Sequence, residues 1–246
     1  MKNPEAAWFG DRAVDPAEKT SLVRGVFSSV AASYDVMNDF MSLGIHRLWK
    51  NRFIQRVNPR DGEYILDVAG GTGDIAQRLL AQAPGAKITV CDLNQQMIEV
   101  GRDRALDRGM LAIEWSVGNA QALPFPGDSF NAYTIAFGLR NVTEIDTALA
   151  EAYRMLKRGG RFFCLEFSKV PPALAPAYDL YSRHVIPFLG EKIANDRGSY
   201  EYLVESIRRF PSQAELAARI EAAGFGLVKV ENLSAGIAAI HSGYKL

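Results

Sequence analysis

The chain has 246 residues, enough to bury a full core as one large domain or one domain with an appendage. Lys and Arg balance Asp and Glu, so no global field draws it to nucleic acid, and no RNA or DNA partner is expected. No apolar run approaches the ~20 residues of a membrane span, and Met1-Lys2-Asn3-Pro4-Glu5 is neither a secretory h-region nor a basic transit peptide. The expected location is cytoplasmic, with any membrane contact peripheral, on the inner face of the cytoplasmic membrane.

In chain order, residues 1–20 are polar and contain proline, and are expected to be disordered. Residues 21–60 read as a helical lid. One stripe is Val23, Phe27, Val30, Ala31 and Tyr34; another is Ile45, Leu48, Trp49, Phe53 and Val57. Residues 61–170 alternate strand and helix. Tyr64-Ile65-Leu66 is a strand, and Ile75, Leu79, Leu80 and Ala83 mark the helix after it. Strands follow at Ile88-Thr89-Val90-Cys91, Ile113–Val117 and Asp128–Phe137. The next helix carries Ile145, Ala148, Leu149, Ala152, Met155 and Leu156, and Gly159-Gly160 is expected to end it before a strand at Arg161–Phe167. Residues 171–210 begin Pro171-Pro172 and read as a helical insert over the sheet. Residues 211–246 hold a capping box, Ser212 to Glu215, a helix through Ile220, and two strands near Leu227–Asn232 and Ala238–Tyr244. Cys91 and Cys164 fall in buried strands without metal-ligand spacing, so reduced core thiols and no metal are expected.

The chemistry concentrates at the strand ends. Asp67-Val68-Ala69-Gly70-Gly71-Thr72-Gly73-Asp74 joins the first strand to its helix, and Asp92 closes the second strand. Glycines let a ligand approach the backbone, and an acid at the second strand end can accept from both hydroxyls of a ribose. Gly71-Thr72-Gly73-Asp74-Ile75-Ala76 also satisfies the dinucleotide fingerprint. A dinucleotide, however, places its pyrophosphate at the helix N-terminus, where Asp67 and Asp74 would repel it. The two acids suit a cofactor with positive charge, such as the sulfonium and ammonium of S-adenosylmethionine. Gly118-Asn119-Ala120 at the third strand end can read an adenine edge. This order resembles the class I S-adenosylmethionine-dependent methyltransferases. The resemblance implies an α/β fold, a Rossmann-like doubly wound sheet with an antiparallel last strand, here with the N-terminal lid and the helical insert.

Four further segments are more specific: Tyr34-Asp35-Val36-Met37-Asn38 continuing to Trp49, Phe137-Gly138-Leu139-Arg140-Asn141-Val142, Arg154 to Ser168, and Tyr200 to Ile207. With them the chain resembles, over residues 21–246, the quinone-biosynthesis C-methyltransferases of the UbiE type. These methylate demethylmenaquinol and 2-methoxy-6-polyprenyl-benzoquinol. Met155, Arg158 and Ala136 depart from the usual pattern, and Ala136 forgoes a hydroxyl that relatives often carry near the cofactor.

The resemblance implies S-adenosylmethionine as methyl donor, S-adenosylhomocysteine as product, and a polyprenyl quinol as substrate. Asp92 is expected at the ribose, Gly70, Gly71, Thr72 and Gly73 at the methionine moiety, Asn119 and Ala120 beside adenine, and Asp67 at the ammonium. For the substrate, Arg140 is expected to stabilise the phenolate, Asn141 to orient an oxygen, and His46 to serve as a base. Tyr34 is expected to join them from the lid, as is Asp39, and Tyr178, Tyr181 and His184 are expected to border the pocket without a catalytic role. Arg47, Lys50, Arg52 and Arg56, with Val185–Gly190, are candidates for contact with a bilayer, against the alternative of a solvated helix face. A homodimer and a quinone-biosynthesis complex are the other candidate assemblies. Two readings stay open beside this one: a methyltransferase for another small aromatic or lipid acceptor, and a noncatalytic S-adenosylmethionine-binding scaffold.

Overall fold

The computed structural model describes residues 7–9, 12–15, 18–19, 21–23, 25, 44–171 and 197–246. The expected site residues Tyr34 and Asp39, and Tyr178, Tyr181, His184 and Val185–Gly190 of the insert, lie outside the described residues. Near the N-terminus, where disorder is expected, β1 (Ala7–Phe9) and β2 (Arg12–Val14) pair antiparallel. The signal for them was Gly10-Asp11 between two short runs, a hairpin dipeptide.

The main sheet has seven strands: β3 (Tyr64–Val68), β4 (Lys87–Asp92), β5 (Ile113–Val117), β6 (Phe130–Ala136), β7 (Leu156–Phe167), β8 (Gly226–Leu233) and β9 (Ala238–Tyr244). Their order is β5-β4-β3-β6-β7-β9-β8. The first five run parallel, and β9 enters antiparallel between β7 and β8. The parallel strands are nearly continuous apolar runs because both faces are covered. Ile65, Ile88, Val90, Phe163 and Leu165 pack under α1 (Ile45–Val57), α2 (Asp74–Gln82), α3 (Gln95–Asp107) and α5 (Arg197–Arg209). Leu66, Val68, Tyr133, Ile135, Phe162 and Cys164 pack under α4 (Ile145–Met155) and α6 (Gln213–Ala222). Cys91 and Cys164 are buried and free, as expected. The capping box forms as well: Ser212 Oγ accepts from the Glu215 amide, and Glu215 reaches back to the Ser212 amide.

Two elements depart from expectation. The buried side of α1 is His46, Trp49, Lys50, Phe53, Ile54 and Val57, while Ile45 and Leu48 face outward, Leu48 at 66% exposure. The apolar stripe misjudged the rotation of the helix, because two of the inward positions are polar. Secondly, α4 stops at Met155, and Gly159-Gly160 belong to β7. Leu156 pairs with Phe130 and Arg161 with Ala132, so the intervening residues bulge out of register. Gly159 adopts a positive φ of 78° there and donates to the Lys245 carbonyl.

The strand order reverses between β3 and β6: β4 and β5 continue to one side, β7 to the other. In open α/β sheets a crevice forms at that switch point, beyond the carboxyl ends of the strands.

Candidate functional site

A cavity occupies this crevice, and Asp67, Gly70, Gly71, Thr72, Asp92, Asn119, Ala120 and Asn141 all line it. These residues come from four chain segments whose strands are neighbours in the sheet. Backbone shape explains the glycines. Ala69 and Gly71 take positive φ of 50° and 54° as the chain turns from β3 toward α2. A Cβ on Gly70 would lie 2.7 Å from Asp67 Oδ2 and 2.8 Å from Val90 Cγ1, so no side chain fits there.

Asp67 is fully buried at the end of β3. The register sets Thr134 of β6 beside it, and Thr134 Oγ1 donates to Asp67 Oδ1 at 2.8 Å. Oδ2 has no hydrogen-bond partner. Burial pushes this carboxyl up to about 7; the Thr134 hydroxyl opposes that, Asp74 and Asp92 add to it, and Lys50 pulls it down. A buried carboxylate oxygen without a donor, on the wall of a cavity, is suited to a ligand cation.

Asp92 ends β4. Its Oδ2 accepts from the Gly71 amide at 2.9 Å and its Oδ1 from the Asn94 amide at 2.8 Å. Burial raises its carboxyl, and the amides of Asn94, Gly71 and Leu93 counteract the rise. With three amides served, the carboxylate keeps lone-pair capacity for a hydroxyl donor. Asn119 Oδ1 accepts from the Gln121 amide and closes a short turn after β5, which presents the Asn119–Ala120 backbone to the cavity.

After β6 the chain turns sharply. Phe137 adopts a positive φ of 56°, and a Cβ on Gly138 would meet Ala69 Cβ at 2.4 Å. Asn141 lines the cavity, and Tyr202 of α5 donates its hydroxyl to Asn141 Oδ1 at 3.0 Å. Burial pushes the Tyr202 hydroxyl up to about 12, so it is a donor at neutral pH.

Arg140 is placed differently from expectation. Its side chain is buried away from the cavity lining, paired with Glu166 of β7 through Nη1 at 2.9 Å. Nη1 also donates to the Phe137 carbonyl, the Arg140 amide donates to Glu166 Oε2, and the guanidinium lies over the Phe167 ring. Burial raises the Glu166 carboxyl and Arg140 opposes that rise. The guanidinium therefore ties the turn after β6 to β7. Gly73 is not among the described residues that line the cavity. It begins α2 with φ 79°, and its missing Cβ leaves room for the Trp115 indole, whose Cη2 would be 2.5 Å away. His46 is buried on α1, apart from the described cavity lining.

Comparison with known proteins decides the family. The model of the ubiE/COQ5 methyltransferase family matches residues 15–245. The chain belongs to that family. It is 56% identical over 241 residues to a ubiquinone/menaquinone biosynthesis C-methyltransferase UbiE of Cereibacter sphaeroides, covering 97% of this chain and 96% of that one. The mitochondrial 2-methoxy-6-polyprenyl-1,4-benzoquinol methylase of Homo sapiens is 50% identical over 274 residues, covering 97% and 84%. Among solved structures, a SAM-dependent methyltransferase from Thermotoga maritima superposes with a TM-score of 0.66 at 21% identity, over 91% of this chain and all of that one. One from Aquifex aeolicus gives 0.60 at 14% identity, over 95% and 100%. These two neighbours bear on the fold, an α/β Rossmann-like sheet.

Within this family member, the sequence reading missed four residues of the site. Lys50, a candidate for contact with a bilayer or for a solvated helix face, lines the cavity and pairs with Asp74. Arg52 and Arg56, candidates for the same contact, both pair with Glu231 of β8 at 2.6 Å. Thr134, Glu166 and Tyr202 act through contacts across 67, 26 and 61 residues of chain. No local pattern marks such partners. Among the described residues, no helix is long and apolar enough to cross a membrane.

Proposed function

We propose that the chain uses S-adenosylmethionine to C-methylate a polyprenylated quinol, demethylmenaquinol or 2-methoxy-6-polyprenyl-1,4-benzoquinol, in menaquinone or ubiquinone biosynthesis. The observation that carries this reading is Asp67 Oδ2, a buried, unpartnered carboxylate oxygen on the wall of the strand-end cavity. It stands beside a loop at which Gly70 admits no side chain. The residues present fit the group. Asp67 offers an acceptor for an ammonium, Gly71 and Thr72 a close backbone approach, Asp92 free lone pairs for ribose hydroxyls, and Asn119–Ala120 an edge for adenine. A bound S-adenosylmethionine supplies an electrophilic methyl group.

The rest is done by the chain. A quinol that loses a phenolic proton carries charge on its ortho carbon, so the protein has to align that carbon and exclude water. Asn141 suits the alignment. Tyr202 occupies its Oδ1, which leaves the amide NH2 to donate to a quinol oxygen. We assign Arg140 and Glu166 to holding the Phe137–Asn141 turn in place, as positioning residues. Residues 21–60 and 171–210 are read as the lid and the insert of one methyltransferase domain covering the substrate. Transient contact with a bilayer, where a polyprenyl tail resides, and a homodimer or biosynthetic complex belong to the same reading.

The test is methyl transfer from labelled S-adenosylmethionine by the purified protein, with chemically reduced short-prenyl demethylmenaquinol and methoxy-benzoquinol in parallel and oxidised quinones as controls. Label on a ring carbon of either quinol is expected. Cofactor binding by folded protein with no transfer to either quinol would refute the substrate assignment.

A further inference from the structure

Lys50 is a lysine on the wrong side of its helix for a surface charge. Trp49, Phe53, Ile54 and Val57 anchor α1 in the core, and the same rotation carries Lys50 inward to 5% exposure. Its stem is buried and its position is on the cavity wall. Nζ lies 2.8 Å from Asp74 Oδ2, at the first turn of α2.

Asp74 does not need Lys50 for neutrality. Arg78, one turn further along α2, donates Nε to Asp74 Oδ1 at 3.0 Å. Asn51 Oδ1 holds the Arg78 guanidinium at 2.6 Å. Two cations thus serve one carboxylate, and the more deeply buried of the two faces the cavity. Across the same loop Asp67 presents its unpartnered oxygen, near enough to Lys50 for the ammonium to act on it. The end of the cavity beside α2 therefore carries one negative and one positive group, each able to take a ligand of opposite sign. An α-amino acid head is such a ligand: an ammonium and a carboxylate on one carbon.

Resting on the cofactor proposed above, we propose that Lys50 anchors the α-carboxylate of the cofactor's methionyl group. It shares its ammonium between that carboxylate and Asp74, while Asp67 takes the α-ammonium. The chain would then read the amino acid as a zwitterion, and the carboxylate would distinguish the cofactor from nucleosides that lack one. Lysine suits this role because a point charge with three donors can serve two carboxylates at once.

The experiment is calorimetric binding of three ligands to the full chain, its Lys50→Met and its Lys50→Arg variants. The ligands are S-adenosylhomocysteine, its decarboxylated analogue S-adenosyl-3-thiopropylamine, and 5′-methylthioadenosine, which lacks the amino acid altogether. Losing a charge-assisted contact in a buried site is expected to weaken S-adenosylhomocysteine about 10- to 100-fold in Lys50→Met. Methylthioadenosine should bind as it does to the unaltered chain, the decarboxylated analogue should lose much less than S-adenosylhomocysteine because Lys50 reaches its ammonium only through Asp67, and Lys50→Arg should recover most of the loss. Unchanged methylthioadenosine binding also reports that the variant is folded around its site. Equal weakening of all three ligands would mean that Lys50 only supports the loop through Asp74, and would overturn the assignment; so would unaltered S-adenosylhomocysteine affinity. Failure of the unaltered chain to bind S-adenosylhomocysteine at all would instead strike the cofactor reading, and this one with it.

Discussion

Lowering the pH from 8 to 6 should weaken S-adenosylhomocysteine binding, and Asp67 sets the size of the effect. The groups that act on its carboxyl are the Thr134 hydroxyl, Lys50, Asp74 and Asp92, and burial outweighs the two that favour ionisation, so it titrates at about 7. An ammonium ligand needs the anion. At pH 8 about nine in ten sites hold it, and at pH 6 about one in ten, so the apparent Kd should rise about tenfold, about 1.4 kcal/mol. The ligand's ammonium and carboxylate keep their charges across this window. Binding at pH 6 must therefore release close to one proton, which calorimetry in two buffers of different ionisation enthalpy counts directly. Asp67→Asn should bind more weakly at pH 8 and lose the slope. Affinity constant within twofold between pH 6 and 8 would refute the reasoning. A slope that survives in Asp67→Asn would move the titration to another group, Asp92 first.

The same carboxyl should leave a mark on the ligand-free protein. Its folded value lies above its unfolded one, so its contribution to stability is complete below pH 4 and declines as pH rises to 7, by about 4 kcal/mol; chemical denaturation across that range should show a shallower pH dependence in Asp67→Asn than in the unaltered chain, the raised Asp92 and Glu166 carboxyls supplying what decline remains. Arg140→Ala strands a buried Glu166 and should destabilise by about 3–5 kcal/mol, whereas the double change Arg140→Met, Glu166→Leu should recover much of it in urea unfolding; a single variant within 1 kcal/mol of the unaltered chain, on the same scale, would show the pair to be dispensable. Gly73→Ala forces a methyl group toward Trp115 at a positive φ, a loss of about 1–3 kcal/mol, and an unshifted melting temperature would mean the indole moves aside freely. Ser212→Ala removes the hydroxyl half of the capping box on α6, the bond from the Glu215 amide, while the backbone amide at 212 still donates to Glu215, and should lower stability by about 1 kcal/mol, measured the same way.

Much of the sheet was legible in the residues. Ile65, Leu66, Ile88, Val90 and the apolar run of β6 specify strands because buried parallel strands leave few positions for polar side chains. Ser212 with Glu215, and the glycines at 70 and 71, were legible for a related reason: caps and turns are local, and their chemistry is complete within a few residues. Gly159-Gly160 was misread because a glycine pair signals a helix stop and a strand bulge equally well, and only the partner strand separates them.

Local spacing and residue chemistry by themselves determined that this chain builds an α/β sheet whose first loop admits a ligand between two acids, and the longer segments determined its family. Tertiary structure alone decided what each charged side chain faces. Lys50 turns from surface to cavity because helix rotation is set by what α1 packs against, including two polar inward positions that the apolar stripe does not reveal. Arg140 turns from cavity to core because β7 lies next to β6 and brings Glu166 within 2.9 Å. The charge of a residue is written in its side chain; its partner depends on strand order and helix rotation, which are settled only when the whole sheet closes over its core.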